Sequence, residues 1–313
     1  MPEKPNAGAP RIAVVGSLNM DLVVRTPRLP QPGETLAGGD FLTAHGGKGA
    51  NQAVAAARQG GRVSLIGKVG ADDFGNRLSR SLADEGIDTA HLTIAGRATG
   101  VAVIMLDTTG QNSIIISPGA NGAVGPDDID AAAPAIAEAD VLLVQLEVPQ
   151  DAVERAMVLA RENKTRVVYN PSPYSDSCRA LLPLADVLVP NEIEAADLSG
   201  IDTDTDGGPE RAARRLLEQG PDTVLLTLGG RGVYAADRNG GRMQPGFAVE
   251  VKDTTAAGDT FVAAFAVATG LGLPLEAAVR RAQAAAALAV TRLGAQPSIP
   301  TAGEVDAFLK QRV

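Results

Sequence analysis

Apolar residues fall in short dense runs, and the stretches between the runs carry helical spacing. The runs read "RIAVVG" (11–16), "VSLIGKVG" (63–70), "VLLVQLE" (141–147), "RVVYN" (166–170), "VLVPN" (187–191) and "TVLLTLGG" (223–230). Several are apolar at nearly every position, which is the pattern of strands covered on both faces in a parallel sheet. Between them the spacing predicts helices over 48–58, 74–85, 150–163 and 210–219, with further helices over 274–292 and 304–312. A strand-like run at 247–251 leads into the Ala-rich "FVAAFAVATG". Strand and helix in alternation predict an α/β chain, a three-layer α/β/α doubly wound fold with a mostly parallel sheet.

Two stretches break this rhythm. Residues 18–44 and 101–117 alternate without helical spacing, and the second predicts a hairpin turning at 107–110. Both are read as β insertions that form a small sheet, a lid, on a single domain spanning 1–313.

Composition narrows the function. A net charge of -9 with scattered Lys and Arg excludes a nucleic-acid surface, which needs clustered basic residues. One cysteine, Cys178, allows no internal disulfide and suits a reducing compartment. The polar start "MPEKPNAGAPR" has no apolar core of a signal peptide, and no run reaches the ~18 apolar residues of a membrane span. A cytoplasmic protein without a membrane partner is expected.

Some motifs fail. "DTDTDGG" (202–208) begins like a calcium loop, but its twelfth position is Ala213 rather than a bidentate Glu. "HGGKGAN" (45–51) lacks the Ser or Thr of a P-loop, and the first strand is not followed by a dinucleotide fingerprint. His45 and His91 have no zinc-spaced partners.

Other motifs converge. "DTTAAGDTF" (253–261) places Asp259 behind Ala256, Ala257 and Gly258 at a predicted helix start. Asp there is a good cap, but the small residues also expose backbone N–H groups as an anion hole. "GSLNMD" puts Asn19 and Asp21 on one side of extended chain after the first strand, where an amide and a carboxylate suit vicinal hydroxyls or a local turn. "HGGKGANQ" offers Gly47, Lys48, Gly49 and Asn51, and Glu147 follows a buried strand. Asn191 and Glu194, three apart at a helix start, could hold a hydrated Mg²⁺, or Asn191 could simply cap. "TLGGRG" (227–232) presents open backbone for a nucleotide.

Taken in order, "GGKGANQAVAA", "PNEIEA", "TLGGRGV", "DTTAAGDTF" and "AVTRLGAQPSIP" resemble the ribokinase-like (PfkB) carbohydrate kinase family from about Arg11 onward. The resemblance implies ATP-dependent phosphorylation of D-ribose at the 5-hydroxyl, with Asp259 as catalytic base. It implies sugar contacts from Asn19, Met20, Asp21, Gly47, Lys48, Gly49, Ala50, Asn51 and Glu147. It implies nucleotide contacts from Asn191, Glu194, Thr227, Leu228, Gly229, Gly230, Arg231, Gly232, Gly258 and Gln283. K⁺ would activate, bound by Asp253, Thr255, Ala289, Arg292, Gly294 and Ser298, several through backbone oxygen; a helix end satisfied by water is the other reading of that region. The family's lid also joins two subunits, so a homodimer is expected. "FVAA" after Asp259-Thr260, Thr255 and Gln283 depart from common family residues. Alternative readings are a kinase of deoxyribose, a nucleoside or fructose; a silent sugar or nucleotide sensor on the same fold; and a glycosidase pairing Asp21 with Glu147.

Overall fold

The computed structural model describes residues 8–108 and 112–312. In chain order the strands are β1 (Arg11–Val15), β2 (Asn19–Arg25), β3 (Phe41–Gly46), β4 (Arg62–Gly70), β5 (Leu92–Ala95), β6 (Gly100–Leu106), β7 (Asn112–Ser117), β8 (Val141–Val144), β9 (Arg166–Tyr169), β10 (Val187–Leu188), β11 (Thr223–Thr227), β12 (Gly232–Asp237) and β13 (Gly240–Pro245). The helices are α1 (Lys48–Arg58), α2 (Asp73–Asp84), α3 (Pro126–Ala131), α4 (Ala133–Ala137), α5 (Gln150–Glu162), α6 (Glu192–Ser199), α7 (Gly208–Leu217), α8 (Ala257–Gly270), α9 (Leu275–Ala289) and α10 (Ala302–Lys310).

Nine strands form the main sheet in the order β13-β12-β11-β10-β9-β8-β1-β4-β5. It is parallel from β5 through β11, and the β12–β13 pair closes it antiparallel. The expected double burial is literal. In β1, Ile12 and Val14 join the core under α1, α8 and α9, while Ala13 and Val15 join the core under α5. Strands β8, β9 and β11 split their residues between the same two cores. None of the helices is long and apolar enough to cross a membrane among the described residues.

The two β insertions form a separate sheet, β3-β2-β6-β7. Strand β6 lies parallel to β2 and antiparallel to β7, so the predicted hairpin is present. Its turn at 107–110 lies partly outside the described residues. Strand β3 runs on to Gly46, two residues past the expected end of the insertion.

One predicted element is corrected. Residues 247–251 form no strand, because β13 is already the sheet's last strand and nothing pairs beyond it. Phe247 and Val249 pack against the core, and the same segment walls a cleft. Apolar alternation there serves burial without a ladder. The β12–β13 hairpin was not anticipated, although Asn239-Gly240 between alternating residues is a strong hairpin signal.

The chain order makes β1 a switch point, with β4 on one side and β8 on the other. In open α/β sheets ligands sit in the crevice outside the carboxyl ends of strands at such a point. Here the loops after β1, β8, β9, β10 and β11 all open at that end.

Candidate functional site

The geometry begins with two glycines. A Cβ on Gly49 would lie 2.5 Å from the Gly16 carbonyl carbon and the Ser17 nitrogen, so α1 rests backbone to backbone on the loop after β1. Gly47 starts the helix at a φ of 89°, a conformation that favours glycine. This approach puts the first turn of α1 over the crevice. There Glu147 takes up the helix N-terminus: its Oε2 accepts from Lys48 N at 3.1 Å and from Ser17 Oγ at 2.5 Å. A carboxylate is favourable at that end of the helix dipole.

Asp259 enters from the opposite side, in the first turn of α8. It is only 7 % exposed. Asn51 Nδ2 donates to its Oδ2 at 3.0 Å, and Gln52 Nε2 donates to its Oδ1 at 3.1 Å. Gln52 is held in turn by Gln145, whose Nε2 donates to Gln52 Oε1 at 2.6 Å. Asn170, whose Nδ2 donates to Val189 O, borders the same amide. Burial pushes the Asp259 carboxyl up; Lys48 and the two amides pull against it, and the net direction is upward. Burial works against the Lys48 ammonium, but the charges of Asp259, Glu147 and Glu194 outweigh it and raise its pKa. Lys48 therefore stays cationic among three carboxylates.

The turn before Asp259 differs in detail from expectation. Ala256 sits at a φ of 59°, a strained conformation for a residue with a Cβ. The Ala257 amide, expected to face an anion, donates to Thr254 O at 3.2 Å. Among the described residues the amides of Ala256, Gly258 and Asp259 have no protein acceptor. These are the free donors of a helix start.

Asp21 projects from β2 against Gly46, where an added Cβ would lie 2.4 Å from its Oδ2. Among the described residues its carboxylate has no hydrogen-bond donor. Burial, with the charge of Glu147 adding to it, pushes Asp21 up to about 7. Other polar atoms at the same crevice are unpaired too, including the buried Asn51 Oδ1. Met20 and Ala50 are buried in the core beneath, so their side chains shape the floor.

A second, mostly apolar cleft of about 390 Å³ opens beside Gly258. Thr227, Gly230, Gly232, Phe247, Val251 and Gln283 are among its lining residues, and Gly229 joins them. Gln283 Nε2 donates to Gln244 O at 2.9 Å, leaving its buried Oε1 without a partner. Leu228 and Arg231, grouped with these in the sequence, are not brought to the cleft. Leu228 is buried in the core below the sheet, and Arg231 pairs with Asp204 at 2.8 Å.

Asn191 and Glu194 form a reciprocal capping box: Glu194 N donates to Asn191 Oδ1 at 2.8 Å, and Asn191 N to Glu194 Oε2 at 3.0 Å. The capping role is thus realised. Burial raises the Glu194 carboxyl despite these bonds. Asn191 Oδ1 and Glu194 Oε2 are thereby engaged, so a hydrated Mg²⁺ would meet these two atoms through its water shell.

Asp253 links two loops. Its Oδ1 accepts from Thr255 N and Oγ at 2.9 and 2.6 Å, and its Oδ2 accepts from Gly294 N at 2.8 Å. Burial would raise its pKa, but those bonds outweigh it and hold the carboxyl below its ordinary value. Arg292 turns outward to Glu304, so only its backbone faces this region. Ala289 O accepts from Arg292 N, and Ser298 Oγ donates to Ala295 O. Asp253 is thus held ionised, and both of its oxygens, like Ala289 O, already accept hydrogen bonds.

Sequence reasoning missed Gln52, Gln145, Asn170, Ser17 and Asn121. Gln145 carried a signal: a polar side chain inside a doubly buried run must find a partner.

Residues 9–302 match the sequence pattern of the pfkB family of carbohydrate kinases. A ribokinase of Haemophilus influenzae is 42% identical over 300 residues, covering 96% of this chain and 98% of that one. A deoxyribokinase of Salmonella typhi is 36% identical over 305 residues, covering 95% and 98%. Among solved structures, Arabidopsis thaliana ribokinase complexed with ribose and ATP superposes with a TM-score of 0.90 at 35% identity, covering 96% of this chain and 99% of that one.

The unpaired Asp21 carboxylate has a measurable cost. Its folded pKa of about 7 lies above the ordinary 3.8. The stability of its neutral form is therefore complete below pH 3.8 and lost as pH rises toward 7. At ~1.4 kcal/mol per pKa unit the loss is at most about 4 kcal/mol. Asp21→Asn removes the charge, so without ligand it should match wild type near pH 4 and exceed it increasingly up to pH 7–8 in urea unfolding. Parallel curves for the two proteins across that range would show that Asp21 is not desolvated.

Proposed function

The chain belongs to the pfkB family of carbohydrate kinases, and from that premise we propose that this sugar kinase transfers the γ-phosphoryl group of ATP to the 5-hydroxyl of D-ribose. One observation carries the reading. Asp21, close to Glu147, and Asn51 Oδ1, on the residue that donates to the buried Asp259, are acceptors without protein partners, and Lys48 brings an ammonium among Asp259, Glu147 and Glu194. That set complements a polyol placed with one hydroxyl against Asp259. The relatives with ribokinase names, and the neighbour solved with ribose and ATP, support the same substrates.

Asp259 accepts the proton of the 5-hydroxyl as that oxygen attacks the γ-phosphorus and the bond to the ADP oxygen breaks. Burial raises its proton affinity, while Lys48, Asn51 and Gln52 favour the carboxylate form. The Gly258 and Asp259 amides meet the charge that develops on the transferred group. The apolar cleft takes the base of the nucleotide, with Gln283 Oε1 as a free acceptor. Mg²⁺ bound through water at Asn191 and Glu194 would supply charge neutralisation of the phosphates. K⁺ at the Asp253 loops would stiffen the turn that aims the amides.

The deoxyribokinase relative supports 2-deoxyribose as the second reading. ADP release over a panel of pentoses, hexoses and nucleosides separates the two: ribose should give the highest kcat/KM. A higher value with 2-deoxyribose would transfer the assignment. In the same assay Asp259→Asn should lower kcat about 10²- to 10⁴-fold while ATP affinity stays within a few-fold. Near-normal turnover would return Asp259 to a capping role.

Monovalent cations give an independent test. At matched ionic strength KCl should raise kcat well above NaCl, and Asp253→Ala should blunt the difference. Equal rates in both salts would remove the cation site.

The small sheet is also read as a lid and subunit contact. Phe41, Leu42, Ile114, Ile115 and Ile116 are exposed there. Large apolar side chains exposed on both outer strands suit an interface. The protein should elute as a homodimer in light-scattering chromatography, and Ile115→Glu should shift it to monomer; a monomeric wild type at micromolar concentration would refute the contact.

A further inference from the structure

The chain passes between the main domain and the small sheet at four places: after β1, after β3, before β6 and after β7. Three of these crossings meet at one side chain, Asn121, which lies in the turn following β7 and is 1 % exposed. Its Oδ1 accepts from Leu18 N at 2.9 Å, and its Nδ2 donates to Leu18 O at 3.0 Å. A backbone donor and a backbone acceptor on one residue fix which way this amide points. The second hydrogen of Nδ2 then reaches Asn19 Oδ1 at 2.8 Å. Gly100, the first residue of β6 and the register partner of Asn19, seals the group: a Cβ there would lie 2.3 Å from Asn121 Nδ2 and 2.4 Å from Asn19 Oδ1.

An Asn amide is nearly symmetric in shape, and only its partners decide which end faces a ligand. With Oδ1 held by Asn121, Asn19 can offer the crevice only its Nδ2 hydrogens. Among the described residues Nδ2 has no acceptor. Asn19 and Asp21 alternate along β2 and so share a face. One of them is thereby fixed as a donor and the other as an acceptor.

We propose that Asn121 is a positioning residue that locks the Asn19 amide with its N–H outward, so that the sugar subsite reads one ring hydroxyl oxygen strictly as an acceptor. This rests on the sugar-kinase reading above. The residue touches no substrate; it acts through Asn19. Serving as the hinge pin of the small sheet, it also ties that orientation to the place where the sheet joins the domain.

The test uses ribose analogues that lack one hydroxyl each, at carbon 1, 2 or 3. In the wild-type protein one analogue should lose roughly tenfold in kcat/KM for want of the hydrogen bond from Asn19. In Asn121→Ala that penalty should fall to about twofold or less, because the freed amide no longer holds its N–H at that hydroxyl; this is the scale of a lost net hydrogen bond. Ribose KM should rise while the KM for ATP stays within about twofold, a split that general loss of structure would not produce. Should Asn121→Ala fail to fold, Asn19→Ala removes the amide itself and should erase the same penalty. An unchanged penalty in whichever variant folds overturns the proposal, as does a wild type that shows no penalty with any analogue. A wild type that releases no ADP with any pentose overturns instead the reading on which the proposal rests.

Discussion

Burying an ionisable carboxylate costs several kcal/mol unless hydrogen bonds and a counter-charge replace the lost water. Asp259 is such a group, and the architecture around it is organised by meeting that demand. Its two donors, Asn51 and Gln52, are neighbours on α1, so α1 must approach α8 closely at that end. The approach is possible because Gly49 and Gly16 carry no side chains where helix and loop touch. Gln52 can donate in the required direction because Gln145 donates to its carbonyl from the loop after β8. A chain of amides thus runs from the end of one strand to the carboxylate on a helix across the crevice.

Electrostatics within the crevice are lopsided. Lys48 faces the carboxylates of Asp259, Glu147 and Glu194, and Asp21 lies close enough to Glu147 for its charge to be felt. A polyanionic phosphate donor meets net repulsion there, and two features oppose it. One is the set of free amides at the start of α8, a fixed positive dipole. The other is Asp21, whose carboxyl is pushed up to about 7 and so carries only part of its charge near neutral pH.

Much of this was legible beforehand, for physical reasons. Doubly buried strands leave dense apolar runs, so the parallel part of the sheet could be read from "RIAVVG", "VLLVQLE" and "TVLLTLGG". The limits of α1 follow from Gly47 and Gln59-Gly60 on either side of an Ala-rich run. Small residues around Asp259 announced a helix start open to a ligand. The rest was hidden because the deciding information is not local. Residues 247–251 alternate like a strand yet have no partner strand to pair with. Arg231 sits in a ligand-like glycine loop, but Asp204 draws it away. Gln52 and Asn121 look like ordinary polar residues in sequence, since their partners lie 207 and 103 positions distant.

Helix α8 is sheathed on all sides: every residue from Asp259 to Ala268 is buried, packed between α1 and α9. Its amides beyond the first turn can exchange with solvent only when the whole domain opens. The small sheet is the reverse case, with apolar side chains exposed along both outer strands, β3 and β7. The two walls of the crevice therefore differ in stiffness. One is an anvil fixed by the core, and any narrowing of the gap around a bound molecule has to be made by the other. In the unassociated chain, hydrogen–deuterium exchange would read this asymmetry as slow exchange along α8 beside fast exchange in β3 and β7.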